Sequence, residues 1–243
     1  MKLTGNTILI TGGGTGIGRG LAEAFLKLGN KVVVSGRRRQ QIDGIDYVPL
    51  DIQDAAGIRA FAAQIAADYP ALNVLINNAG IMRVEKVQEQ QADLADAEAI
   101  VSTNLLGPIR LTGALLPHLR KQPYSVVMNV SSGLAFVPLS LTPTYCATKA
   151  AIHSYTESLR WQLRGTATEV LELIPPYVAT DLLGGGSDPR AMPLDQYIAQ
   201  VMDILTTQPD DVEICVENAK RLRLAAAGGH YDQVFQGLNS MWE

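Results

Sequence analysis

Hydrophobic positions follow two alternating patterns along the chain. Short, nearly continuous apolar runs rich in β-branched residues recur at Thr7–Thr11, Lys31–Ser35, Tyr47–Leu50, Asn73–Ile76, Ser125–Val130, Thr168–Ile174 and Val212–Val216. Stretches such as Val32-Val33-Val34 and Val74-Leu75-Ile76 leave no polar face, as expected of strands covered by helices on both sides of a parallel sheet. Between them the apolar residues return with helical period. Ile58, Phe61, Ala62, Ile65, Ala66 and Tyr69 mark one face of a helix that Asp54 is placed to N-cap and Pro70 to stop. Strand and helix in alternation predict an α/β fold: one domain over residues 1–243 built on a doubly wound, seven-stranded parallel sheet.

Three segments depart from this rhythm. Between Gly36 and Asp46 there is room for barely two helical turns, so the crossover helix there is expected to be stunted. Residues 181–193, within TDLLGGGSDPRAMP, are rich in breakers and are expected to form a mobile flap. Beyond Gly228-Gly229, the positions of Tyr231, Val234, Phe235, Leu238, Met241 and Trp242 outline an amphipathic C-terminal helix over 231–243. Its apolar face either folds back on its own domain or docks on a neighbouring subunit.

Composition narrows the functional classes. A 47% hydrophobic content over 243 residues supports a sizeable core, with aromatics at only 6%. Twenty Lys and Arg against 24 Asp and Glu give a net charge of −4 and a pI near 5.4, which provides no global attraction to nucleic acid or anionic lipid. Cys146 and Cys215 are too few for a disulfide framework, and no Cys/His group has zinc spacing. The N-terminal MKLTGNTILITGG carries no export signal, and no stretch reaches the ~18 consecutive apolar residues of a membrane span. A cytoplasmic protein without a metal, nucleic-acid or membrane partner is expected.

The turn after the first strand reads Thr11-Gly12-Gly13-Gly14-Thr15-Gly16-Ile17-Gly18 and leads into the helical Arg19-Gly20-Leu21-Ala22-Glu23. Gly12, Gly16 and Gly18 form a G-x-x-x-G-x-G pattern between strand and helix. That is where a dinucleotide's pyrophosphate meets free backbone N–H groups and the positive end of a helix dipole. Further along, Asn77-Asn78-Ala79-Gly80 follows the fourth strand and Asn104 lies in a long helical stretch. Ser131-Ser132 follows the fifth strand, and Tyr145-Cys146-Ala147-Thr148-Lys149 opens a helix. Residues four apart share a helix face, so the Lys149 ammonium reaches back toward the Tyr145 phenol. An opposite charge within ~4–6 Å lowers a pKa by 1–3 units, which is expected to bring Tyr145 into exchange near neutral pH. His118, His153 and His230 show no catalytic spacing and are read as structural, and Cys146 as a helix-packing residue.

In this order the motifs resemble those of the short-chain dehydrogenase/reductase family over essentially the whole chain. The family's T-G-x-x-x-G-I-G, N-N-A-G, helix asparagine and Y-x-x-x-K stand here as Thr11–Gly18, Asn77–Gly80, Asn104 and Tyr145–Lys149. Its serine usually lies thirteen residues before the tyrosine, which selects Ser132 over Ser131. Pro175-Pro176 replaces the family's P-G after the sixth strand. That feature and the stunted crossover are similar to the oxidoreductase branch associated with D-alanine esterification of teichoic acids, a label taken from gene neighbourhood.

The resemblance implies a Rossmann-type fold with strand order 3-2-1-4-5-6-7 and an NAD(P)-dependent dehydrogenase/reductase acting on CH–OH and C=O groups, with Asn104, Ser132, Tyr145 and Lys149 as catalytic residues. It implies that Tyr145 passes a proton to or from the substrate oxygen while Ser132 hydrogen-bonds that oxygen. Asn104 is implied to hold a water linking Lys149 to solvent, and Lys149 to bind the nicotinamide ribose. Cofactor contacts are implied for Gly12, Gly14, Thr15, Gly16, Ile17, Gly18, Asn78, Ala79, Gly80, Pro175, Val178 and Thr180, beside Tyr145 and Lys149, with Asp51 and Ile52 at the adenine.

Family members that use NAD usually carry Asp where this chain has Gly36, and here Arg37 and Arg38 follow. A carboxylate repels a 2′-phosphate and a guanidinium binds it, so NADP(H) is expected in preference to NAD(H). Leu134, Phe136, Val137, Leu141, Tyr177 and Leu182–Leu183 suggest a largely apolar pocket for a small carbonyl or alcohol substrate. The family commonly forms dimers and tetramers, so a homodimer or homotetramer is expected. A non-catalytic, dinucleotide-sensing regulator on the same fold is the alternative, disfavoured by the intact Tyr145, Lys149, Ser132 and Asn104.

Overall fold

The computed structural model describes every residue except 39, 90–93, 184, 185, 187 and 243. Seven strands, β1 (Thr7–Thr11), β2 (Lys31–Gly36), β3 (Asp46–Pro49), β4 (Leu72–Asn77), β5 (Ser125–Val130), β6 (Thr168–Ile174) and β7 (Glu213–Cys215), form one sheet of order β3-β2-β1-β4-β5-β6-β7. Every neighbouring pair is parallel. The apolar runs have no polar face because each strand alternates between two cores. Ile8, Ile10, Val32, Val34, Val74 and Ile76 face one layer, whereas Leu9, Val33, Leu75 and Val127 face the other.

Helices α1 (Gly16–Lys27) and α6 (Leu194–Thr207) pack together over the first face and contribute Leu21, Phe25, Tyr197 and Val201. The second face is covered by α2 (Ala55–Asp68), α4 (Gly107–Leu119) and α5 (Pro143–Leu163), through Ile58, Phe61, Leu111, Leu115 and Leu159. Asp54 N-caps α2 by accepting the Ala56 N–H at 2.9 Å.

Between α3 (Ala95–Val101) and α4, residues Ser102–Leu106 form a π-turn that carries Asn104. The joined run Ala95–Leu119 is long and apolar enough to cross a membrane by length and composition. Leu111, Leu115 and Leu119 are nevertheless fully buried against the sheet, and Thr112 accepts a bond from Asn77 of β4, so this is a core helix.

No helix forms among the described residues between β2 and β3, where a stunted one was expected. Nine residues are too few for a crossover helix, which with its loops needs at least about 10–12. The Leu50 N–H donates to the Gly36 carbonyl across this gap, and the Tyr47 hydroxyl donates to the same oxygen.

After β6 the chain makes a single 3-10 turn at Asp181–Leu183 and returns through a bridge between Val178 and Met192. Residues 184, 185 and 187 of the expected flap lie outside the described residues. At the C-terminus, α7 (Glu217–Arg223) and α8 (Tyr231–Ser240) fold back on the chain's own domain, where Val234 is buried with Val137 and Ala225. Tyr231 and Met241 of the expected apolar stripe are largely exposed.

Candidate active site

The carboxyl ends of β1, β4, β5 and β6 all open onto the same edge of the sheet, so the loops that follow them meet there. The glycine turn leaves β1 and closes against the exit of β4. Thr11 Oγ1 accepts from the backbone N–H groups of Asn78 and Ala79, each at 3.0 Å, and Asn78 Nδ2 donates to the Thr11 carbonyl at 2.9 Å and the Gly12 carbonyl at 3.2 Å. This interlock explains two of the glycines. Gly12 has φ +64 and a Cβ there would lie 2.9 Å from Ala79 Cα, while a Cβ on Gly18 would lie 2.4 Å from Asn78 Nδ2 and 2.5 Å from the Gly12 carbonyl oxygen. Thr15 is the N-cap of α1 and makes no side-chain capping bond, so the first N–H groups of the helix are left to another acceptor.

Asn104 sits on the π-turn, a widened turn of the kind that recurs at functional sites. Its Oδ1 accepts the Ile81 N–H at 2.9 Å, while its Nδ2 donates to the Ile81 carbonyl at 2.8 Å and to Thr148 Oγ1 at 3.3 Å. The side chain thereby ties the loop after β4 to α5, one residue away from Lys149.

Ser132, Tyr145 and Lys149 come together nearly buried, at 7%, 5% and 5% exposure. Ser132 lies two residues beyond the end of β5 and caps a short 3-10 turn through the Leu134 N–H at 3.1 Å. Tyr145 and Lys149 lie one turn apart near the start of α5, with the Lys149 Nζ 5.5 Å from the Tyr145 ring centre. Lys149 Nζ donates to the Val130 carbonyl at 2.8 Å.

The electrostatics differ from the expectation for the phenol. Burial raises the Tyr145 pKa above its ordinary value and outweighs the hydrogen bond with Ser132 that lowers it. The ammonium lies over the ring and bonds to a backbone carbonyl, and the net effect of the surroundings leaves the phenol well away from neutral pH. Burial also lowers Lys149 to about 8, against the opposing charge of Glu172.

The remaining candidates lie around this centre. Asp51, exposed, accepts the Gln53 N–H at 3.0 Å, and Ile52 is buried against Gly107. Arg37 and Arg38 are exposed at the end of β2, and a Cβ on Gly36 would meet nothing within 4 Å. Arg39 lies outside the described residues. Thr180 is within 3.3 Å of where a Cβ on Gly16 would stand, so the segment after β6 touches the glycine turn. Pro175 accepts the Gly133 N–H at 2.9 Å, and Val178 is buried. Gly14 and Ile17 stay partly exposed on the turn, and Gly80 is within 3.5 Å of Asn104 Oδ1 by the position of its absent Cβ. These features fit a dinucleotide: close-approach glycines, an uncapped helix start, an open strand end with adjacent guanidinium groups, and a buried lysine.

One cluster escaped the sequence reading. Glu172 of β6 is fully buried, accepts the Ser131 hydroxyl at 2.5 Å and is paired with His153 Nδ1 at 2.8 Å. Its hydrogen bond with Glu172 raises the His153 pKa. The donor atoms of His153, Glu172 and Glu213 lie within 4.8 Å of one another, as metal ligands do. Glu213 is, however, held by Arg223 through two bonds of 2.7 and 2.9 Å, so the group is a charge network that supports the serine loop. The available signal was a lone carboxylate on the same face as Val170 and Ile174 in a doubly covered strand, where it demands a partner.

Comparison with known proteins agrees with the geometry. The short chain dehydrogenase family matches residues 6–190. An uncharacterized oxidoreductase of Bacillus subtilis, DltE, is 38% identical over 99% of both chains. A short chain dehydrogenase from Burkholderia cenocepacia, solved in complex with NADP, superposes with a TM-score of 0.82 at 26% identity and covers 98% of this chain and 99% of its own. A 3-ketoacyl-(acyl-carrier-protein) reductase from Brucella melitensis, complexed with NADH, reaches a TM-score of 0.76 at 26% identity, over 88% of this chain and 96% of its own. With its glycine turn, its Tyr145/Lys149 helix and its parallel sheet in one continuous match, the chain belongs to the short-chain dehydrogenase/reductase family and is an NAD(P)-dependent oxidoreductase.

Proposed function

We propose that the protein is an NADP(H)-dependent oxidoreductase that interconverts a ketone and a secondary alcohol, with Tyr145 as proton donor and acceptor. The observation that carries this reading is the convergence of Ser132, Tyr145 and Lys149, all nearly buried, at the sheet edge where the glycine turn also opens. When bound, the reduced nicotinamide supplies a hydride to the carbonyl carbon. The protein's own part is the proton and the oxygen. With its pKa raised by burial, the Tyr145 phenol is protonated across the physiological range and ready to give its proton to the substrate oxygen. Ser132, already directed at the phenol, offers that oxygen a fixed hydrogen bond as charge develops on it. Lys149, charged at neutral pH with a pKa of about 8, stabilises the phenolate that remains and binds ribose hydroxyls. Asn104, by tying Ile81 to Thr148, keeps the β4 exit and α5 in register around the cofactor.

The preference for NADP(H) is supported by the open space at Gly36 and by the exposed Arg37 and Arg38 beside it. The NADP complex of the Burkholderia relative is consistent with it, while the NADH complex of the Brucella reductase is a reminder that this fold serves both cofactors. A charge-assisted contact contributes about 1.5–3 kcal/mol, or roughly 10- to 150-fold in preference. Measuring kcat/KM with NADPH and NADH on straight-chain and aryl ketones tests the reading. NADPH should win, and Arg37→Ala should narrow the ratio by about tenfold or more. A preference for NADH, or a ratio unchanged in Arg37→Ala, sinks the cofactor assignment. Tight cofactor binding with no turnover on any ketone or alcohol points instead to the sensing regulator.

A further inference from the structure

The C-terminal segment packs on the apolar cluster that contains Tyr145. Tyr145 belongs to an apolar cluster with Leu139, and packed against that cluster are Leu134, Leu141 and Leu183 and, from the C-terminus, Leu238 and Trp242. Three independent sets of contacts hold the terminal segment there. Asn239 at the end of α8 accepts the Ser140 N–H at 2.6 Å and donates to the Pro138 carbonyl at 3.2 Å, which pins the helix to the stretch leading into α5. The Arg190 guanidinium stacks on the Trp242 ring at 4.1 Å and donates to the Met241 carbonyl at 2.9 Å. The Tyr177 ring meets Trp242 edge-on at 5.7 Å between ring centres, and its hydroxyl donates to Asp188, which in turn holds Arg190. Trp242 is thus sandwiched between two side chains of the segment that follows β6.

We propose that Trp242 and Leu238 form a wall of the substrate pocket over Tyr145, and that they limit the size of the apolar group attached to the reacting carbonyl. The side chains that share the cluster with the phenol carry no charge, and the Arg190–Asp188 pair satisfies itself outside it. The wall therefore selects an uncharged alkyl or aryl substituent by its bulk. An aromatic plate fixed by Arg190 on one face and Tyr177 at its edge is a rigid limit, and a misfit of a methylene or two against a rigid apolar wall changes reaction rates by about 10- to 200-fold. The proposal rests on Tyr145 being the proton donor, and the test is arranged to separate the two.

Trp242→Ala removes the plate and Arg190→Ala removes what holds it. With NADPH and 2-alkanones from butanone to nonan-2-one, both variants are expected to move the kcat/KM optimum toward longer chains. In Trp242→Ala the ratio of nonan-2-one to butanone should rise about tenfold, while NADPH binding, followed by its own fluorescence, stays within about twofold. An unchanged ratio in both variants overturns the wall. A second arm does not need turnover. The chain has two tryptophans, so in a Trp161→Phe background Trp242 is the sole reporter, and Trp161 is 67% exposed and tolerates the change. Nonan-2-one added to the NADP⁺-saturated protein should shield Trp242 from acrylamide quenching. Shielding without reduction of any ketone keeps the wall and discards Tyr145 as donor; absence of shielding discards the wall.

Discussion

Tyr145 and Lys149 titrate in opposite directions for the same reason. Both are fully enclosed, and enclosure disfavours whichever form is charged, so the phenol holds its proton more tightly and the ammonium less tightly. The consequence for activity has a definite sign. Between pH 6 and the pKa of Lys149 at about 8 the phenol is protonated and the ammonium present, so under the proposed mechanism reduction should run at its full rate. As pH rises through about 8 the ammonium is lost and with it the proposed stabilisation of the phenolate left on Tyr145, so kcat for ketone reduction should fall along a single-proton limb. A rate that stays flat to pH 10 contradicts the assignment. Single residues were the most legible feature of the sequence where a motif carried them, as at Gly12, Gly18, Tyr145 and Lys149. What the sequence did not reveal was that Lys149 bonds to the Val130 carbonyl, because that depends on how deeply α5 lies against β5.

Among the elements, the central strands were readable as apolar runs rich in β-branched residues, and the observed ends of β1, β5 and β6 coincide with those runs, whereas the edge strands β3 and β7 are shorter and more polar. The π-turn at Ser102–Leu106 left no mark in the periodicity, since one extra residue per turn over five positions does not disturb an apolar stripe. Its effect is to present Asn104 to Ile81. Asn104→Ala would strand the Ile81 N–H and carbonyl, at a cost of about 1–3 kcal/mol for each group left unsatisfied. Calorimetry should therefore show a Tm lowered by several degrees, at about 2–4 °C per kcal/mol for a chain of this size. A Tm within a degree of the parent would mean that the tie is dispensable.

The charge network behind the serine loop makes a second prediction at this scale. The folded-state pKa of His153 is raised, so its pairing with Glu172 contributes stability that is fully present below the unfolded value near 6.5 and lost as pH rises through the folded value. Glu157 and Glu213 act in the same direction on His153. Urea unfolding of His153→Gln against the parent should show a larger deficit at pH 5.5 than at pH 9. An equal deficit at both would assign the effect to packing against Phe136, whose ring lies 4.7 Å away edge-on.

The whole molecule is organised so that one sheet edge collects the groups that the proposed chemistry uses. β1 delivers the glycine turn, β4 the loop that Thr11 and Asn104 hold, β5 the serine, and the segment after β6 returns to touch Gly16 and to meet the C-terminus at Trp242. Fold class was legible because parallel, doubly covered strands have a distinctive composition, and strand order because the ordered motifs resemble a family of known topology. The destination of α8 was not, because an amphipathic stripe does not say which surface it covers. The contacts of Asn239 and Trp242 show where it goes: onto the stretch leading into α5 and onto the segment after β6.

The proposed function depends on transfer of the Tyr145 proton, and Tyr145→Phe isolates that step because it removes one oxygen and leaves the ring in its apolar cluster. Single-turnover reduction of a ketone by enzyme-bound NADPH, measured alongside NADPH affinity, should show affinity within about twofold of the parent and a rate lowered by about 10²- to 10⁴-fold. A Tyr145→Phe enzyme that binds NADPH and reduces the ketone at the parental rate would contradict the account.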